Sequence, residues 1–110
     1  MKSSEVIVVQ QYDQKIGTSR NTFLVDPEAL RATHEWIARN RPRMPAPQEI
    51  GMVMPYFVIY VTNEGDLNAP TTEVIDIYTE IDSEGTIAIP REETDTFAEI
   101  LRKWGRDRLP

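Results

Sequence analysis

The sequence predicts an α+β fold, a two-layer sandwich in which two helices cover one face of a mainly antiparallel sheet of about four strands. Three observations carry that expectation. Residues 52–90 hold three segments of strand character, MVMPYFVIYVT, TTEVIDIYTEI and TIAIP, joined by turn-forming residues. Asp26-Pro27 opens a segment with helical spacing, and Phe97, Ile100, Leu101 and Trp104 recur at i, i+3, i+4 and i+7. At 110 residues the chain suffices for one such core, so residues 1–110 are expected to form a single domain.

Taken in order, residues 5–12 (EVIVVQQY) read as a first strand, followed by a loop marked by Gly17 and Asn21. A helix is expected from Asp26 to about Asn40, with aspartate as N-cap, proline at N1 and Glu28 in the first turn. Its inward positions are Leu30, Thr33 and Ile37, with Trp36 beside them. Residues 41–51 carry three prolines and form a stiff connector. The strand that follows is apolar on both faces, since Val53, Phe57, Ile59 and Val61 alternate with Met54, Tyr56, Val58 and Tyr60. Its second face therefore needs a cover. NEGDLNAP and DSEG separate the later strands, and a last helix starts after Pro90 with Glu92, Glu93 and Asp95 early and Arg102, Lys103 and Arg106 late. The expected order is β-α-β-β-β-α.

The passage Asp82-Ser83-Glu84-Gly85-Thr86-Ile87-Ala88-Ile89-Pro90-Arg91-Glu92 resembles the hairpin-to-helix passage of AbrB-type swapped-hairpin transcription regulators. Thr86 stands where that family has an arginine, and no second strand pair follows the helix before Pro110. The resemblance implies a shared turn, strand and helix chemistry and assigns no family.

With 18 acidic against 12 basic residues the chain carries a formal charge of -6, which disfavours direct contact with nucleic acid phosphates. It has no cysteine, so disulfides, thiolate metal sites and thiol nucleophiles are excluded. His34 is the one histidine and is expected to be a hydrogen-bonded surface or core-edge residue rather than a ligand. No serine lies in a G-x-S-x-G context and the glycines are scattered, so no triad, phosphate loop or dinucleotide fingerprint is visible. No catalytic residue, metal or cofactor is expected. The apolar run Val6 to Val9 is too short for a signal sequence or a membrane span, which points to a cytoplasmic protein.

Strand parity places Phe57, Ile59, Ile75, Ile77, Ile81, Ile87 and Ile89 toward the helices and sends Met54 and Val58 to the opposite face together with Tyr56, Tyr60, Asp76, Tyr78 and Glu80. An aromatic, acidic sheet face suits a basic protein partner, and these five residues are the candidate contact set. The expected function is that of a small acidic, non-catalytic binding protein of the immunity-protein, antitoxin or phage-inhibitor type. A homodimeric regulatory or structural domain pairing through the same face is the alternative. Arg39, Arg41 and Arg43 form a positive cluster in a segment that also matches the R-x-x-P-x-x-P pattern of polyproline ligands.

Overall fold

The branched residues Val6 to Val9 form the heart of strand β1 (Glu5–Asp13), which lies inside a four-stranded sheet of order β2-β1-β3-β4. The computed structural model describes residues 5–13, 17–43, 57–63, 70–77 and 89–109. All three pairings in the sheet are antiparallel. The α+β architecture expected from sequence is the one observed.

Strand β2 (Thr18–Leu24) was not expected: the polar stretch after Gly17 reads as a loop, yet it pairs with β1 from Asp13↔Thr18 to Ile7↔Leu24. Alternation could not reveal it, because its first four residues are exposed and its large apolar residues are confined to Phe23 and Leu24. Backbone pairing to β1 specifies this strand instead. Gly17, at φ 69°, takes the left-handed conformation that glycine adopts without steric cost as the chain turns into β2.

Helix α1 (Pro27–Asn40) then crosses the sheet to β3 (Phe57–Asn63), which pairs with β1 and with β4 (Glu73–Ile77). The described order is therefore β-β-α-β-β-α. Of the expected third meander strand, residues 86–88 lie outside the described set, while Ile89 is buried without belonging to a strand. Pro90 precedes helix α2 (Arg91–Trp104) at its N-cap.

Parity assigns the core as the pattern predicts. Ile7, Val9, Leu24, Phe57, Ile59, Ile75 and Ile77 project to the helix side and meet Ala29, Trp36, Ile37, Ile89, Phe97 and Ile100. Along α1 the buried face is Ala29, Thr33, Trp36, Ile37 and Asn40, which puts Trp36 at the centre of the stripe rather than beside it. Trp36 stacks on Phe97 with centroids 4.7 Å apart, and Phe57 meets the same ring edge-on at 5.4 Å. Trp104, the last residue of the i, i+3, i+4, i+7 stripe, is only partly buried at the margin of this cluster and has Lys103 Nζ 4.5 Å from its ring centroid.

Asp26 occupies the expected N-cap position with extended backbone angles, but its side chain makes no capping bond. Its carboxylate instead accepts from Arg106 Nη2 at 3.0 Å. Arg106 lies just beyond α2 and exchanges both backbone hydrogen bonds with Phe23, at 2.8 and 2.9 Å. The last turn of α2 can reach β2 so closely because residue 105 is glycine. A Cβ there would collide with the Leu101 carbonyl and with Thr22 Cγ2.

Two outcomes follow for stability. Phe97→Ala should cost about 3 to 5 kcal/mol in urea denaturation, whereas Trp104→Ala should cost about 1 to 2 kcal/mol because less of its ring leaves water on folding. An equal loss would refute this ranking. Gly105→Ala should destabilise by about 1 to 3 kcal/mol through overpacking against Thr22, and Thr22→Ser in the same chain should recover part of that loss.

Candidate functional site

The sheet face turned away from the helices carries Val6, Val8 and Gln10 of β1, Asn21 and Phe23 of β2, Val58, Tyr60 and Thr62 of β3, and Val74 and Asp76 of β4. Register aligns them in rows: Val8 lies between Phe23 and Tyr60, Tyr60 faces Val74, and Val58 faces Asp76. The Tyr60 hydroxyl donates to Gln10 Oε1 at 3.4 Å, which leans the ring across β1.

This face is not uniformly open. Val8 is 1% exposed, and Val6 and Thr62 are also buried, the Thr62 hydroxyl without a hydrogen-bond partner among the described residues. Exposure rises toward β4, where Val74 is 55% exposed in mid-strand. Beside it Asp76 is half-buried and has no ion-pair partner among the described residues. Of the five candidate residues, the structure thus brings Tyr60 and Asp76 together as diagonal neighbours, while Tyr56, Tyr78 and Glu80 lie outside the described residues. Val74 shares the parity of Asp76, and that alternation is legible in TTEVIDI.

The positive cluster resolves differently. Arg39 donates through Nε and Nη2 to Glu93 Oε2 at 3.1 and 2.9 Å, Arg41 pairs with Glu73 at 3.0 Å, and Arg43 donates to Asn40 Oδ1 at 2.9 Å. The three guanidinium groups therefore serve three separate protein partners and do not converge on an anion. Arg41–Arg43 forms a short 3-10 helix, so this part of the R-x-x-P-x-x-P match lacks the extended left-handed backbone of a polyproline ligand.

Glu93 is the hub of the helix junction. Its carboxylate accepts from Arg39 and, at 2.7 Å, from Asn40 Nδ2, while its carbonyl accepts from Trp36 Nε1 at 2.8 Å. Asn40 is fully buried and completes its bonding by donating to the Trp36 carbonyl at 3.0 Å. The hydrogen bonds from Arg39 and then Asn40 hold the Glu93 carboxyl below the usual glutamate range, against the opposing effect of partial burial. Sequence spacing could not reveal this set, because Glu93 lies more than fifty residues from Trp36, Arg39 and Asn40.

Two grooves flank α2. One, of about 360 Å³, lies between the helices beside Trp36, Ile100 and Trp104. The other, of about 430 Å³, lies under the end of α2 and is lined in part by Gln11, Arg20, Thr22, Leu101, Arg102 and Asp107. His34, exposed on α1, stands 2.5 Å from Glu5 Oε1 and ties the helix to the start of β1. Among the described residues no three His, Cys, Asp or Glu side chains gather as a metal site. None of the described helices is long and apolar enough to cross a membrane.

Comparison with protein-family models, curated proteins and solved structures finds no match. The AbrB-type likeness of residues 82–92 thus gains no support from a family model, and most of that passage lies outside the described residues.

Because the folded pKa of Glu93 lies below its unfolded value, its contribution to stability is present above the unfolded pKa, about 4.3, and is lost as pH falls through the folded value. Stability should therefore decline below about pH 4.5. Glu93→Gln should lower stability at pH 7 and flatten that decline, as read by denaturation at several pH values. An unchanged acid slope in the variant would show that Glu93 does not supply it.

Proposed function

We propose that this chain acts by binding another protein through the outer face of its sheet near β4, as a small inhibitor or neutralising protein does, and that its partner presents a basic surface there. The carrying observation is Asp76, a carboxylate without an ion-pair partner among the described residues, set beside Tyr60, Val58 and the exposed Val74. An apolar patch with an aromatic anchor and an unpaired charge at its rim combines contact area with steering.

The charge distribution supports the same reading. Seven of the eighteen acidic residues, Asp13, Glu49, Glu64, Asp66, Glu80, Asp82 and Glu84, fall at the end of β1 or in segments joining the described elements, and two basic residues, Lys2 and Lys15, accompany them there and at the N-terminus. The other described residues, by contrast, carry eleven carboxylates against ten Lys and Arg side chains, and five of these carboxylates meet an arginine. Along the sequence the excess of acidity is thus concentrated in these segments, which favours a cationic partner. A cysteine-free chain needs no oxidising compartment, and the cytoplasm is the proposed place of action.

The test is affinity capture from the source cell, with the Asp76→Lys chain as control, followed by binding kinetics at two ionic strengths. Asp76→Lys should slow association and weaken its salt dependence, while Tyr60→Ala should speed dissociation and cost about 2 kcal/mol. Binding that survives both changes would remove this face from the function. Self-association lost on Val74→Lys would instead assign the face to a second copy of the chain.

A further inference from the structure

We propose a second interaction surface, independent of the first: the outer edge of β2, which takes an extended acidic segment of another protein as an added strand beside Ser19 to Asn21. In an antiparallel ladder, residues alternate between bonding across the pair and pointing away from it. Phe23 exchanges both backbone bonds with Arg106, so it points away from β1, and Asn21 and Ser19 share its parity. Among the described residues neither makes a backbone hydrogen bond outside the strand ladders. Together they offer two donors and two acceptors in the pattern that a new strand satisfies.

The chain itself starts such a ladder and then abandons it. An antiparallel continuation from Phe23↔Arg106 would set Arg108 opposite Asn21, but the backbone bends at Asp107 and Arg108 and the pairing stops after one bridge. A strand added along Asn21 and Ser19 would send alternate side chains to the helix side of the sheet. There the groove of about 430 Å³ receives them, between Arg20 and Thr22 of β2 and Leu101 and Arg102 of α2.

The chemistry of that groove selects the occupant. Arg20 and Arg102 line it against the single carboxylate of Asp107, which approaches Arg20 no closer than 3.9 Å. Arg102 shares its charge with Glu99, yet both guanidinium groups remain largely exposed and free to turn toward a ligand. In a chain of net charge -6, two exposed guanidinium groups held only by exposed carboxylates favour alternating glutamate or aspartate side chains and disfavour lysine.

The experiment uses the isotope-labelled full chain and two capped heptapeptides, one alternating valine with glutamate and one alternating valine with lysine. The glutamate peptide should slow amide exchange at Ser19 and Asn21 about tenfold or more, and the lysine peptide should not. Arg20→Glu combined with Arg102→Glu should weaken the glutamate peptide about tenfold. Asn21→Pro removes an outward N–H and no ladder bond, so it should abolish protection while circular dichroism stays unchanged. Should that variant fail to fold, a glutamate peptide N-methylated at alternate residues makes the same test on the ligand side, and must lose binding. Equal binding of both peptides, protection confined to other strands, or undiminished binding of the N-methylated peptide would overturn the proposal. So would a concentration-dependent dimer that protects the same amides without peptide, since the edge would then belong to a second copy.

Discussion

The contact between Trp36 and the start of α2 is the joint on which the molecule depends. Trp36 does two things at once: its ring stacks on Phe97 and its indole N–H reaches the Glu93 carbonyl. The first removes two large aromatic surfaces from water, and the second satisfies a buried donor that would otherwise cost free energy. Glu93 then carries the connection outward, because its carboxylate holds Arg39 and Asn40 on the opposite helix. An apolar stack and a charge-assisted network thus fix the same pair of helices, and neither helix can shift without loss to both.

That joint sets the position of everything that follows α2. With the helix held at its N-terminal end, Gly105 brings its other end against Thr22, and Arg106 closes one rung on β2. The same arginine draws the Asp26 carboxylate away from the helix terminus it would cap. Asp26 therefore starts α1 through its backbone, whose carbonyl accepts from Leu30 N at 3.0 Å, and uses its side chain to join two elements far apart in sequence. Local capping lost to a long-range ion pair, a trade of about 1 kcal/mol on either side for exposed groups.

Charge is arranged with a similar division. Four arginines in or beside the helices, Arg39, Arg41, Arg102 and Arg106, each meet a carboxylate, which reduces their net field. Attraction for partners is left to Asp76 on the outer face, which has no ion-pair partner among the described residues, and to Arg20 and Arg102 beside β2, each largely exposed despite its ion pair. These lie on different sides of the sheet and carry opposite signs, so the two proposed surfaces do not compete for one ligand.

The sequence by itself determined what depends on neighbours along the chain. Asp26-Pro27 and Pro90 marked helix starts, and period-two alternation sorted Phe57, Ile59, Ile75 and Ile77 from Val58, Tyr60 and Asp76, because turn chemistry and side-chain direction are local properties of the backbone. Tertiary structure alone decided the rest. It made a strand of Thr18–Leu24, buried Phe97 fully while leaving Trp104 at the margin, drew Asp26 to Arg106, gathered Trp36, Arg39, Asn40 and Glu93, and put the exposed Val74 beside Tyr60. Each of those outcomes is a pairing between residues distant in sequence, and the free energy that selects a pairing exists only once the partner has been brought into place.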